Sequence, residues 1–171
     1  MSLPPAIHAP VVVRVTSTLD ASPAAVWARV TTPAGIRDEL APWVGMSMPP
    51  GLKGRTIAEA DDLVGRPLGR AWLLLLRVLP VDYDDMTLVD VDPGRSFHER
   101  SSMLTLRSWE HLRSLEPDGD GTRLTDELRA TLRRPLAAVP GAHGVVRALV
   151  TALFGHRHRR LVRRFGGRTA V

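Results

Sequence analysis

Four residues whose types suit proton transfer stand on alternating stretches of this chain: Glu99, His111, Arg113 and Asp126. In an extended segment, side chains two apart share a face. Over 108–115 that rule groups Trp109, His111, Arg113 and Leu115, and leaves Ser108, Glu110, Leu112 and Ser114 opposite. The Trp109 side is the inward one. Over 96–103 it groups Phe97, Glu99, Ser101 and Met103, and over 122–128 it groups Leu124, Asp126 and Leu128. If these faces line one interior, a carboxylate, an imidazole and a guanidinium meet among apolar walls. Such a set can orient a carbonyl or phenol and move a proton, as an aldol-type cyclisation or dehydration requires. The competing reading is structural: charges paired across adjacent strands satisfy their own hydrogen bonds, and one bulge reverses a face. Catalytic residues therefore stay unassigned, with Glu99, His111 and Arg113 as candidates. The candidate ligand-binding residues are Trp109, His111, Glu99, Ser101, Arg113, Asp126 and, from the last helix, Leu153.

Other chemistries find little to stand on. His156 and His158 are two apart, so on a helix they diverge and do not form the i, i+4 pair that shares a metal. Asp61-Asp62 and Asp82, Asp84 and Asp85 are expected in solvated turns, without the alternating oxygen ligands of a calcium loop. There is no glycine-rich phosphate loop, no Gly-x-Ser-x-Gly elbow and no cysteine. No metal and no cofactor is expected. Trp27, Trp43 and Trp72 read as core or rim packing, and Tyr83 as a residue at a strand end.

The elements that would carry the candidates follow from punctuation. A β-branched strand, Pro10 to Leu19, meets Ser22-Pro23, a capping oxygen followed by a preset φ, and Val26, Trp27 and Val30 give the ensuing helix an apolar face. Thr32-Pro33 repeats the signal, with Ile36 and Leu40 as the face and Pro42 as the stop. Strands then read as Trp72–Val78, Met86–Val91, Ser96–Met103, Ser108–Leu115 and Thr122–Leu128. Between Val44 and Gly69 two stretches compete for one further strand, Val44–Met48 and Arg55–Ala60. The unbroken run Leu73–Leu76 predicts cover on both faces, from a partner subunit or from the 44–69 segment. Finally Val146, Leu149, Val150, Leu153, Phe154, Leu161 and Phe165 recur at helical spacing from about Ala142 until Gly166-Gly167 stops them; Val146, Leu149, Val150, Leu153 and Leu161 are taken as the inner face, and Arg159, Arg160, Arg163 and Arg164 as mostly outside.

This order resembles the START-like, Bet v 1-like (SRPBCC) superfamily, which includes polyketide cyclases and lipid-transfer proteins. The resemblance spans roughly residues 11 to 165 and rests on the first strand with Ala21-Ser22-Pro23-Ala24-Ala25-Val26-Trp27, on Phe97-His98-Glu99, on Trp109-Glu110-His111, on Gly121-Thr122-Arg123-Leu124-Thr125-Asp126 and on the closing helix. It implies an α+β helix-grip fold: a seven-stranded antiparallel curved sheet around a long C-terminal helix, two short helices after the first strand, and apolar ligands held between them. It transfers no catalytic motif by position.

At 171 residues and 44% hydrophobic, the chain can supply one core. The expected organisation is a mobile N-terminus over 1–9, a ligand-binding domain over 10–166 and a tail over 167–171. The absence of cysteine gives no sign of an oxidising compartment, Met1 to Pro10 does not read as a signal peptide, and the expected location is cytoplasmic. Charge is two-ended: after Glu127 there is no acidic residue, so that end carries +10 and the remainder −5. Such a field can attract anionic membranes or nucleic acid, although arginines near a helix C-terminus also favour the helix dipole and solvate a face. The favoured partner is a hydrophobic small molecule or lipid in an internal cavity, with a homodimer left open. The alternatives are a cyclase/dehydratase-type enzyme and an adaptor using the arginine-rich helix.

Overall fold

The structure, a computed structural model, describes residues 9–170. The expectation for residues 1–9 therefore falls, except at Ala9, outside the described residues, as does Val171. Strand β1 (Val11–Leu19) buries every second side chain, as its β-branched alternation requires. Helices α1 (Pro23–Val30) and α2 (Pro33–Leu40) begin at their capping signals: Ser22 Oγ accepts the Ala25 N–H at 3.4 Å and Thr32 Oγ1 the Gly35 N–H at 3.0 Å. There follow β2 (Val44–Met46), β3 (Pro67–Leu75), β4 (Leu79–Asp92), β5 (Ser96–Ser102), β6 (Leu106–Asp118), β7 (Gly121–Leu132), the single turn α3 (Arg134–Ala137), α4 (Ala142–Phe165) and β8 (Gly167–Ala170). Neighbouring strands are antiparallel, in the order β2-β3-β4-β5-β6-β7-β1-β8. The sheet curves without closing, and α4 packs against β1, β8 and α2: this is the helix-grip fold.

Several expectations need correction. The sheet has eight strands among the described residues rather than seven, because residues 167–170 of the expected tail pair with Thr16–Leu19. Glycine permits this: a Cβ at Gly167, where φ is +107°, would collide with the Thr18 carbonyl. Of the two stretches competing for the second strand, Val44–Met46 pairs with β3, whereas Ile57–Glu59 is a tight helical turn capped by Thr56 and Glu59.

The β3–β4 turn falls at Leu76-Arg77, whose φ angles are +50° and +66°, inside the expected strand Trp72–Val78. Pro80 pairs with Leu74 beside an irregularity in the ladder, where its missing N–H is tolerated. Asp82, Asp84 and Asp85 thereby belong to a strand rather than to solvated turns, and Asp84 is buried. Tyr83 lies within that strand, edge-on to Trp72 and beneath Arg70. Finally, the cover expected over Leu73–Leu76 is only partial in the single chain: Leu73 and Leu74, beside β2, are half-buried, while Leu75 and Leu76 are exposed, with Trp72, Val78, Leu79 and Val81 near them.

The core forms two clusters. One joins α1 to Leu88, Phe97, Leu115, Leu124 and Leu161; the other joins β1 to Trp109, Leu128, Leu132 and Phe154. On α4 the inner face differs from the expected stripe. Phe154, Arg157, His158 and Leu161 are buried, Val146, Val150 and Leu153 are half-buried, and Leu149 is 64% exposed. Arg159, Arg163 and Arg164 point outward, while Arg160 pairs with Asp38 on α2.

Candidate functional site

Between the sheet and α4 lies a cavity of about 310 Å³. Its walls are mainly apolar, with Leu40 from α2, Met46 from β2, Leu73 from β3, Met86 from β4, Trp109 from β6 and Leu153 from α4 among them. Alternation along the strands explains this, since each sends every second side chain inward. Charged side chains gather on part of the wall: Asp84, Glu99, His111 and Arg157. The cavity is thus an apolar container with one polar wall.

Behind that wall stands an enclosed ionic cluster. His111 lies between two carboxylates, its Nδ1 3.0 Å from Glu99 Oε1 and its Nε2 2.8 Å from Asp126 Oδ1. Arg113 donates to both oxygens of Asp126, at 2.7 Å each, and to both oxygens of Glu39, at 2.9 and 3.1 Å. Arg157 on α4 donates to Glu39 Oε2 at 3.0 Å, and His158 Nε2 lies 3.0 Å from Asp126 Oδ2. From His158 the chain of contacts continues through Ser17 Oγ, 2.8 Å from Nδ1, to Thr169 Oγ1, a further 3.0 Å away on β8. The cross-strand pairs Glu99–His111 and Arg113–Asp126 are direct ladder partners, so register alone brings them together.

Burial opposes ionisation throughout this cluster, and partners decide each outcome. For Asp126, burial pushes the carboxyl up, but Arg113 and His111 outweigh it and hold it well below the ordinary value. For Glu99, burial likewise acts upward, and the His111 hydrogen bond and charge, aided by Arg157 and Arg113, leave it lowered. Burial pushes the His111 ring down, yet Asp126 and Glu99 hold it above its ordinary value. Arg113 is raised because Asp126 and Glu39 overcome its burial. Asp84 behaves differently. Burial and then the charge of Glu99 raise its carboxyl to about 7, against smaller opposing effects of the Ser101 hydroxyl and His111.

The structure brings Glu99, His111, Arg113 and Asp126 into one contiguous cluster, but only Glu99 and His111 of the four reach the cavity wall. Trp109 and Leu153 also line it. Arg113 and Asp126 are fully enclosed behind His111, which fits a positioning role better than contact with a ligand. Ser101 faces inward beside Trp109, off the cavity lining, and its hydroxyl has no partner. Sequence reasoning missed Glu39, Asp84, Arg157 and His158. Glu39 stands three residues after Ile36 on the inward side of α2, while Arg157 and His158 follow Phe154 by three and four residues; helical spacing carried both signals. No metal-holding group of three or more His, Cys, Asp or Glu occurs among the described residues.

The family described as Domain of unknown function (DUF8410) matches residues 17–165. The chain belongs to that family. Among curated proteins none matches it in sequence. Solved structures share its fold at low identity. Protein CV1439 from Chromobacterium violaceum superposes with a TM-score of 0.67 at 14% identity, covering 91% of this chain and 97% of that one. A START superfamily protein from Mycobacterium smegmatis gives 0.62 at 19%, covering 92% and 97%. The di-domain ARO/CYC StfQ from the steffimycin biosynthetic pathway gives 0.63 at 13%, covering 90% of this chain but 50% of StfQ, so this chain corresponds to about half of that protein. The DUF8410 chain therefore has the START-like helix-grip fold. No helix among its described residues is long and apolar enough to cross a membrane.

Proposed function

We propose that this protein binds a hydrophobic small molecule inside the cavity, with the apolar part of the ligand against Trp109, Met86 and Leu153 and its inner end toward Glu99 and His111. The observation that carries the reading is the cavity itself, about 310 Å³ with a mainly apolar lining and one polar wall. Sites of roughly this size and character enclose small organic ligands. The likeness to a START superfamily protein and to an ARO/CYC protein agrees with it at the level of fold. Mass spectrometry of protein purified under native conditions tests it directly: an uncharged apolar compound should leave the protein on denaturation. Protein that carries none and also fails to bind the fluorescent apolar probe N-phenyl-1-naphthylamine would refute the reading.

A second reading is a cyclase- or dehydratase-type enzyme. What favours it is one contact, the His111 ring held between Glu99 and Asp126 with His111 and Glu99 on the cavity wall. An imidazole held between two carboxylates can pass its Nδ1 proton to Glu99, which stands on the cavity wall and can hand that proton to a ligand oxygen and take it back. Arg113 and Asp126 would position that ring. In this reading His111→Gln removes turnover of a polyketone substrate while leaving apolar-probe binding within about threefold, since it deletes the proton carrier and keeps the wall. Equal turnover by wild type and variant would exclude it. The arginine-rich end of α4 has a weaker case as an adaptor, because Arg157 and Arg160 are engaged internally by Glu39 and Asp38.

A further inference from the structure

The ionic cluster is satisfied without Asp84. Its three carboxylates, Glu39, Glu99 and Asp126, are already engaged by Arg113, Arg157, His111 and His158. Asp84 is a further carboxyl, beside Glu99 on the cavity wall, and has no cation within salt-bridge distance among the described residues. Only 4% of it is exposed, its Oδ1 has no hydrogen-bond partner, and Ser101 Oγ on the neighbouring strand is likewise buried and unpaired. Buried polar atoms in this condition are uncommon, and a bound molecule is one thing that completes them.

We infer that Asp84, as a protonated carboxylic acid assisted by Ser101, donates a hydrogen bond to an uncharged carbonyl oxygen on the ligand. This rests on the cavity-binding reading and narrows its ligand to one class: an apolar molecule with a ketone or comparable acceptor at its inner end. The charged groups around the carboxyl agree. Glu99 on β5 repels a second negative charge, and His111 on β6 is already held by Glu99 and Asp126. Arg157 from α4 is held by Glu39, Arg37 from α2 also lines the cavity but makes no salt bridge to Asp84, and Asp85 follows in β4. With Glu99 beside it and no cation within salt-bridge distance among the described residues, the carboxyl keeps its proton up to about pH 7. An acid in that form offers the O–H that a carbonyl accepts. A ligand ammonium group would instead require Asp84 ionised and would itself have to shed water into apolar walls.

The binding should consequently be gated by protons. As pH rises through about 7, Asp84 loses the donor and gains a charge, and a ketone loses its partner. Displacement of N-phenyl-1-naphthylamine by three molecules of similar shape tests this: 2-acetylnaphthalene, which has the carbonyl, 2-ethylnaphthalene, which lacks it, and 2-naphthylmethylammonium. Below the transition the ketone should bind about tenfold tighter than the ethyl compound, the cost of leaving one buried hydrogen-bonding group unmatched. That preference should fade above the transition in the wild type. It should persist at high pH in Asp84→Asn, whose amide keeps an N–H donor and cannot ionise, and shrink at every pH in Ser101→Ala. An ethyl compound that binds as tightly as the ketone at all pH values overturns the inference and leaves the cavity reading standing. An ammonium compound whose affinity climbs through the transition also overturns it, in favour of a cation site. Failure of all three to bind removes the cavity reading and this inference together.

Discussion

The two ends of the sheet invert the usual placement of residues. Toward the β1 end, where α4 crosses β1 and α1 packs on β6 and β7, four ionisable side chains (Glu39, Arg113, Asp126 and His158) are almost wholly enclosed. At the β3–β4 hairpin, six apolar side chains are exposed: Trp72, Leu76, Val78 and Leu79, together with Leu75 and Val81, which also line the cavity. Residue type does not decide burial here; the path of α4 does. The helix covers the side of the sheet built from β1 and its neighbours and leaves the hairpin bare, so charges on covered strands must find partners while apolar groups on uncovered ones go without. The first region should be intolerant of change and the second permissive.

The sharpest way to break that comparison is to remove one member of the cluster. Asp126→Ala leaves Arg113 and two imidazoles without their shared acceptor and should cost about 3–5 kcal/mol, and Glu39→Ala, which strands Arg113 and Arg157, should cost a similar amount. Chemical denaturation measures both, and losses below about 1 kcal/mol would show that the cluster is solvated. Phe154→Ala, which empties space beside Trp109 and His111, belongs in the same range of about 3–5 kcal/mol.

Asp84 gives an effect of intermediate size with a sign that depends on pH. Its carboxyl is raised in the fold to about 7, whereas in the unfolded chain it ionises near its ordinary value. Folding thus holds a proton that the unfolded chain releases, so stability falls as pH climbs from about 4 to about 7 and stays reduced above. Asp84→Asn removes that loss. Thermal melts should find the variant more stable than wild type by roughly 1–4 kcal/mol near pH 8, with little difference near pH 4. A variant that is less stable at the higher pH would mean that Asp84 is ionised and satisfied there.

Smaller effects are expected from surface positions. Arg160→Gln with Arg164→Gln loses one partly exposed ion pair with Asp38 and some helix-end charge, for a few tenths to about 1 kcal/mol. Leu76→Ser with Val78→Ser should change the unfolding free energy by less than about 0.5 kcal/mol, since neither side chain is covered. If this hairpin variant unfolds as readily as Asp126→Ala, the contrast between the two regions is wrong.

Legibility in the sequence followed the ladder. The faces of β5, β6 and β7 could be read because no irregularity interrupts Phe97–Ser101 or Trp109–Leu115, the nearest ones falling at Leu88/Asp90 and Leu106/Ser108. Asp84 escaped for two local reasons. The hairpin turns on Leu76 and Arg77, which carry no turn signature, and Pro80 with its acidic followers imitates one. Glu39, Arg157 and His158 escaped because a charged residue on an amphipathic helix ordinarily belongs to solvent. Their burial depends on pairs with Arg113, with Asp126 and between Glu39 and Arg157, at separations of 74, 32 and 118 residues, and local pattern does not report such pairs. The eighth strand followed two glycines that read as a stop, and a glycine pair also allows the close approach that β8 needs.

The central claim is that the space between the sheet and α4 receives an apolar molecule, and a titration with N-phenyl-1-naphthylamine addresses it most directly. The account predicts a saturable fluorescence rise at one molecule per chain, reversed by 2-ethylnaphthalene. A response that climbs without saturation, or that 2-ethylnaphthalene leaves unchanged, would put the probe outside the cavity and contradict the claim.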